Sequence, residues 1–567
     1  MANRTENTNG LLTSQPERQD KVLDNQIERL SVIEARLRSL TVYNDAWQIN
    51  NANSEGVIPF RIESTPEYGR YMVAARDVKA GEVIFREPPV VITPKAGAGP
   101  TCLSCFRTLP VEYSGCPGCG APLCETSCNG KWHTSSECQS LTALSLKDPY
   151  KCALSQCDPN QNCYTNYNLN SLESQNGDIS TNNSHSKSSD EGEKLTLKMV
   201  KLLNTLLTPL RTLLLMEEST ELSNMIVSLQ SHSENRSKLP IGQFFENQIL
   251  GPLQTCFKDK ISTNLLHFIC GIFDTSAFNI TLENGSHGRA IMPLAAMLNH
   301  SCMANTERFF CKGFLVIRAT VDITEGEPIT NPYTHTILGN QMRQTYLMKT
   351  KLFQCMCPRC CDPRELGSDA SSLICRKCGK GLIHPPQDIA NDWECDNCQE
   401  SVSLQTVKMM LRMSNALLTA SRGSVTSMRQ ALKKLCQVLG MQNYIVMEMK
   451  MVLVDALIQQ REECTSCDDL EEVLQLTGDL LNFTGIVRPG RTRFRGLMLL
   501  RQLQASIELL SNEQADIIRL RKAYSILSNE NLISQLEECR DILLYDSLFP
   551  QVTNLDEKFK MLQEITT

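Results

Sequence analysis

Closely spaced cysteine pairs constrain this chain more than any other feature of it. Of its 26 cysteines, fifteen stand at spacings that suit metal ligands. Cys102-x2-Cys105, Cys116-x2-Cys119, Cys124-x3-Cys128 and His133-x4-Cys138 put seven thiols and one imidazole within 37 residues. That stretch is rich in Gly and Pro and too small for a core of its own. Eight ligands suit two closed tetrahedral zinc sites, since a tight turn lets two thiolates reach one ion; the plainer alternative is buried free thiols. Cys355-x-Cys357-x2-Cys360 supplies three further ligands, one short of a closed site, and either Cys302 or Cys361 can complete it. Cys375-x2-Cys378 and Cys395-x2-Cys398, 16 residues apart, fit a zinc ribbon. Cys464-x2-Cys467 has no second pair nearby and reads as structural.

At 567 residues the chain has room for three or four domains, and its 41% apolar content supports a sizeable core. A net charge of −7 and a pI near 5.8 point to neither nucleic acid nor membrane as a bulk partner. The polar opening MANRTENTNG is not a signal peptide, and the most apolar run, LLNTLLTPLRTLLLM, is interrupted by Pro209 and Arg211. A soluble protein of the nucleus and/or cytoplasm is expected, where clustered cysteines hold metal rather than form disulfides.

Residues 1–17 are polar and without a folding signal, and residues 18–40 carry helical spacing at Val22, Ile27, Leu30, Ile33 and Leu37. Strands are expected across 57–93 (FRIES, YMVAARDV, EVIFREPPVVI) and again across 286–333, as in GFLVIRATV. The Asn-, Ser- and Gln-rich stretch 158–193 has no folding signal, whereas 194–275 is helical through Leu195, Met199, Leu202, Leu203 and Leu206. From Leu404, Val407, Met410, Leu411 and Met413 onward the pattern is helical to the end. The expected segments are 1–50, a polar tail and helix; 51–100, strands; 101–140, the zinc finger; 141–193, a linker; 194–285, helical; 286–340, strands; 341–400, two cysteine clusters; and 401–567, all helix.

Asn299-His300-Ser301-Cys302 resembles the signature of SET methyltransferases, and the order of motifs around it resembles the SET–MYND family. Gly69-Arg70-Tyr71 with Ala74, Arg76-Asp77 and Gly81-Glu82 is similar to the opening SET strands. Thr275 to Ile280 is similar to the segment before the central motif. Pro293, Leu298 to Cys302 and Asn305 resemble the core signature, Gly326 to Ile329 with Tyr333 the closing strand, and Phe353-Gln354-Cys355 the cofactor-side aromatic. The resemblance covers about residues 57 to 361. It implies an α+β, multidomain fold: a SET β-fold split by a MYND zinc finger, a post-SET zinc site and an all-α C-terminal domain. The ribbon is an extra similar to what arthropod-type members carry.

The same resemblance implies a protein-lysine methyltransferase using S-adenosylmethionine. Cys102, Cys105, Cys124 and Cys128 would hold one zinc, and Cys116, Cys119, His133 and Cys138 a second. Cys302 with Cys355, Cys357 and Cys360 would hold a post-SET zinc, and the ribbon another. Tyr333 would orient the acceptor amine. Gly69, Arg70, Tyr71, Ser276, Asn299 and His300 would hold the cofactor, with Phe353 against its adenine. Three positions depart from the family pattern: Tyr71 replaces a glycine, Ser276 an asparagine, and Lys351 a second channel tyrosine. They motivate an alternative from another class, a weak or inactive adaptor recruiting partners, possibly in transcriptional repression. Expected partners are a lysine-bearing protein or peptide substrate and proteins bound through the finger and the C-terminal helices; a monomer is expected. With only Arg107 and Lys131 as strong bases in the finger, direct nucleic-acid binding is not.

Overall fold

In the computed structural model the described residues are 58–146 and 191–566, apart from 67, 97, 111–112, 129, 259–260, 283–284, 387–390, 460–465 and 513–514. The expected helix at 18–40, the insert from 158 to 190 and Cys464 lie outside them.

The chain enters through β1 (Phe60–Thr65), β2 (Gly69–Ala74), β3 (Val83–Glu87) and β4 (Val91–Pro94). The expected single run EVIFREPPVVI is two strands, because Pro88 and Pro89 cannot donate to a ladder. In the finger, β5 (Ser114–Gly115) pairs with β6 (Pro122–Leu123) ahead of α1 (Ser135–Thr142). Helices α2 (Glu191–Glu218), α3 (Thr220–Val227), α4 (Ser233–Ser237), α5 (Pro240–Gln248), α6 (Leu250–Phe257) and α7 (Thr263–Ser276) follow. Strands resume with β7 (Phe278–Thr281), β8 (His287–Ile291), β9 (Asn299–His300), β10 (Thr306–Cys311), β11 (Phe314–Ala319) and β12 (Pro328–Asn331).

Three small sheets share one core. Their orders are β1-β2-β12-β9, β10-β11-β3 and β4-β8-β7, so early and late strands interleave in two of them, and β3 closes against β11 in the third. Met72, Ile84, Ile92, Ile291, Leu298, Ile317 and Ile329 fill the space between them. The register matters most at β12. Its Ile329 faces Met72 of β2, and the next two residues, Thr330 and Asn331, lie parallel to Asn299 and His300 of β9.

Of the described helices α2 is the longest, at 28 residues. Its segment Met199–Glu218 is long and apolar enough to cross a membrane by composition, yet 72% of that window is buried inside the protein. Leu203, Leu206, Leu207 and Leu210 pack with Leu141, Phe244 and Leu253. Arg211 within it is buried and fully used. It pairs with Glu137 of the finger at 2.5 Å, donates to Ile92 O on β4 at 2.7 Å and to Leu103 O at 2.9 Å. One guanidinium thus joins helix, sheet and finger.

After α8 (Asn340–Thr350) and α9 (Pro358–Cys361), a four-stranded ribbon sheet forms from β13 (Leu373–Ile374), β14 (Leu382–His384), β15 (Trp393–Cys395) and β16 (Ser401–Val402). The rest is helical: α10 (Leu404–Ser421), α11 (Val425–Val438), α12 (Tyr444–Gln459), α13 (Cys467–Val487), α14 (Arg493–Leu510), α15 (Ile517–Ala523), α16 (Asn529–Leu543) and α17 (Phe549–Thr566). Ser403, Ser424, Ser466, Thr492 and Ser528 each accept a hydrogen bond from the amide three residues on, which fixes where five of these helices begin. The helical array is docked on the β-core by arginines. Arg318 of β11 bonds Asp541, Arg488 donates to Thr306 O at 2.7 Å, and Arg488 Nη1 lies 3.1 Å from Glu307.

Gly490 sits where that docking is tightest, with φ +93° and an added Cβ only 2.2 Å from Thr320 O. Gly490→Ala is therefore expected to cost about 2–4 kcal/mol, through strain at a positive φ plus overpacking. The check is the denaturation midpoint of zinc-replete protein. An unchanged midpoint would show that the loop yields freely.

Candidate active site and metal centres

Four groups of ligand atoms converge, each with all its atoms within 4.8 Å of one another. They are Cys102, Cys105, Cys124 and Cys128; Cys116, Cys119, His133 and Cys138; Cys302, Cys355, Cys357 and Cys360; and Cys375, Cys378, Cys395 and Cys398. The spacing fits zinc. Four ligands at the usual Zn–S length of about 2.3 Å give tetrahedron edges of roughly 3.8 Å. The sulfurs of Cys102 and Cys128 are 3.7 Å apart, those of Cys105 and Cys124 3.8 Å, Cys116 and Cys138 3.7 Å, Cys375 and Cys398 3.7 Å, and Cys378 and Cys395 3.8 Å. A disulfide would need about 2.0 Å.

In the finger, His133 turns Nε2 toward Cys119 Sγ at 3.6 Å and Nδ1 toward Glu137 at 2.8 Å. Residues four apart share a helix face, and His133 and Glu137 use that neighbourhood at the entry to α1. The carboxylate fixes the ring and its tautomer, the outer-shell arrangement expected around a zinc-bound imidazole.

The third cluster takes Cys302 and leaves Cys361 aside, which decides between the two alternatives left open by spacing. Cys302 Sγ lies 3.5 Å from Cys360 Sγ, while the Cys361 thiol reaches only Met356 O at 3.5 Å. Arg343 of α8 is completely buried against this cluster. Its Nε is 3.1 Å from Cys302 Sγ and its Nη2 3.5 Å from Cys360 Sγ. Glu365, also fully buried, accepts from Arg343 at 2.7 Å and from Arg359 at 2.8 Å. Burial alone would raise the Glu365 pKa; the Arg343 and Arg359 guanidinia override it and hold the carboxylate ionised.

The parallel pairing of β9 with β12 carries Tyr333 to the motif. Its amide donates to His300 Nδ1 at 3.0 Å and its hydroxyl to Leu298 O at 2.5 Å. The His300 and Tyr333 rings are 5.3 Å apart, and Phe353 stands 6.0 Å from the first and 6.4 Å from the second. Burial pushes the Tyr333 phenol up to about 12 and the His300 imidazole down to about 4, so both are uncharged near neutrality. Tyr333 as a whole is half-buried. Tyr333, Phe353 and the third thiol cluster share one apolar patch with Leu347.

The Gly69 turn, with φ +62°, closes on the same place. Asn299 Nδ2 donates to Tyr68 O at 3.0 Å, so its side chain ties the turn to the motif. Arg70 is half-buried; desolvation lowers its pKa, and no hydrogen bond or ion pair engages its guanidinium among the described residues. Tyr71 is held on the strand pair β1–β2. Its hydroxyl meets Glu63 of β1 at 3.1 Å and its ring stacks edgewise on Tyr68. Ser276 ends α7, its hydroxyl 3.5 Å from that of Thr275. Lys351 Nζ donates to Thr275 O at 2.6 Å and lies 5.7 Å from the Tyr333 ring centroid.

Sequence reasoning missed Arg343, Glu365, Arg359, Glu137 and Glu87. Glu87 of β3 is fully buried and accepts from Leu294 N at 2.8 Å and Ala295 N at 2.7 Å, anchoring the turn that leads into Asn299. Glu137 left a local signal, standing four residues after His133, whereas Arg359 and Glu365 are 6 residues apart, Arg343 and Glu365 22, and Glu87 and Leu294 207.

The family model described as SET domain matches residues 69–334, the span that holds the Gly69 turn, the Asn299 motif and Tyr333. Residues 69–334 carry a SET domain, and the chain is similar to proteins of the SET–MYND type. The SET domain-containing protein SmydA-8, isoform A, of Drosophila melanogaster is 29% identical over 408 residues, covering 69% of this chain and 77% of the relative. Histone-lysine N-methyltransferase ASHR1 of Arabidopsis thaliana is 25% identical over 376 residues, covering 65% and 68%. The SET domain of LSMT bound to lysine and AdoHcy aligns with 90% of this chain and 99% of its own at 13% identity, with a TM-score of 0.27.

Glu137→Gln is expected to weaken zinc held by Cys116, Cys119, His133 and Cys138 by about 10- to 100-fold. Competition with a chromogenic chelator checks it. The same release profile as the unaltered protein would contradict the orienting role of Glu137.

Proposed function

We propose that this protein is a SET–MYND protein-lysine N-methyltransferase that uses S-adenosylmethionine and acts on histone or non-histone proteins in the nucleus, the cytoplasm or both. The observation that carries the reading is Tyr333, set by β-pairing beside His300 and Phe353 with its hydroxyl on Leu298 O.

S-adenosylmethionine supplies a sulfonium-bound methyl that an amine lone pair can displace. What the chain must add is mostly alignment. The Tyr333 proton is committed to Leu298 O, which leaves lone pairs on its oxygen to accept from an acceptor N–H. With a pKa near 12 the phenol stays neutral, so its part is orientation and not proton abstraction. Desolvation beside the aromatic rings favours the neutral amine over the ammonium. The Arg70 guanidinium, which has no partner among the described residues, suits a carboxylate, as at the methionine end of the cofactor. Backbone at Gly69–Tyr71, Asn299 and His300 would line that end, Ser276 would offer a short hydroxyl, and Phe353 would lie against adenine. The four ligand clusters would hold structural zinc, whose binding contributes to folding rather than to the chemistry.

The adaptor reading draws on one observation, the Lys351 ammonium already seated at Tyr333. Partner binding that survives Tyr333→Phe and is lost on Cys116→Ser would favour it.

Tyr333→Phe is expected to lower turnover on the order of 100-fold or more, while the unpaired Leu298 carbonyl costs about 1–2 kcal/mol and the fold persists. Unaltered turnover would remove Tyr333 from its assigned role. Arg70→Met is expected to weaken S-adenosylmethionine by roughly 10- to 100-fold, the size of a lost charge-assisted contact. Calorimetry that gives equal affinities for both proteins would contradict the placement of Arg70.

A further inference from the structure

Lys351 is the C-cap residue of α8, yet its side chain serves another element. Its Nζ donates to Thr275 O in the last turn of α7, whose own last turn carries no basic residue. Carbonyls there hold the negative end of the helix dipole, so a cation from outside is stabilised at that point. The same Nζ lies 5.7 Å from the Tyr333 ring centroid, within range of attraction by the ring face. Leu352 is what makes the arrangement possible. With φ +61°, a conformation rare for a bulky side chain, it bends the chain so that Lys351 and Phe353 both reach Tyr333. The aromatic group of His300, Tyr333 and Phe353 therefore already has a cation of this chain's own against it.

We propose that Lys351 is a specificity-determining residue that blocks the acceptor side of the Tyr333 site, holding a resident ammonium where an incoming lysine would present its own. This inference rests on the methyltransferase reading and adds a regulation to the same site. Two ammonium groups cannot share that position. Their repulsion falls slowly in a partly desolvated cleft, and the ring face has one cation position on that side. In the resting protein a cationic acceptor is excluded. Transfer requires Lys351 to leave Thr275 O, or an acceptor that arrives uncharged. The role differs from a plain clamp between α7 and α8, because a clamp would be needed for activity and its removal would lower the rate.

The test compares unaltered protein with Lys351→Met, which keeps the length of the side chain without its charge, and Lys351→Gln, which is neutral and polar. Zinc content and the thermal midpoint establish folding of each. Titration with S-adenosylmethionine establishes the cofactor site. Initial rates are then read with isotopically labelled S-adenosylmethionine on an array of synthetic peptides carrying one lysine each. The expected result is cofactor binding by all three proteins and a rise of tenfold or more in kcat/KM for both variants, carried mainly by KM. Cofactor binding by all three with equal or lower rates in the folded variants, zero included, would overturn the block and leave the cofactor site standing. No cofactor binding by any of them would overturn the methyltransferase reading, and the block with it.

Discussion

Cys302 meeting Cys355, Cys357 and Cys360 is the contact on which the candidate site depends. It joins the loop after β9 to the segment after α8, two pieces of chain more than 50 residues apart. Four thiolates on one zinc leave a net negative centre, and burying such a centre is unfavourable without a nearby cation. Arg343 supplies it with hydrogen bonds to two of the sulfurs, and Glu365 in turn holds Arg343 and Arg359. Because Arg343 and Glu365 are fully excluded from water, the loss of either partner would strand a buried charge, a change worth about 3–5 kcal/mol. The network therefore fixes the position of Cys302, and through the chain that of His300, against which Tyr333 and Phe353 are arranged.

A parallel design holds the finger. The finger is too small to bury much of its own surface, and its zinc ligands alone would leave it free to swing. Arg211 prevents this by bonding Glu137, Leu103 O and Ile92 O at once. The carboxylate that orients His133 is thus the same one that anchors the finger to α2 and β4. The ligand group around His133 and the seating of the finger share one buried ion pair, Glu137 with Arg211.

Much of this was legible in the chain, for physical reasons that differ from residue to residue. Thiols at two- and three-residue spacing reach one ion with little freedom left over, so the ligand groups of the finger and ribbon followed from spacing once the family resemblance had set which pairs interleave. Cys302 against Cys361 was open, because the choice is made by the parallel pairing of Asn299 and His300 with Thr330 and Asn331. Tyr333 followed from its place after the closing strand. Tyr71 is named at the cofactor turn from sequence, but its hydroxyl contact with Glu63 follows from the β1–β2 register, which spacing along the chain does not give. Arg343, Glu87 and Glu365 left no local trace, since a buried charge is recognised only by the partner that the fold brings to it.

The central claim is that the Cys302 cluster builds the cofactor site, and calorimetric titration with S-adenosylmethionine of zinc-replete protein beside its Cys302→Ser variant tests it most directly. The account predicts saturable binding by the unaltered protein and its loss in the variant, with zinc retained in the finger and the ribbon. Binding of equal strength in both, or none by the unaltered protein, would contradict it.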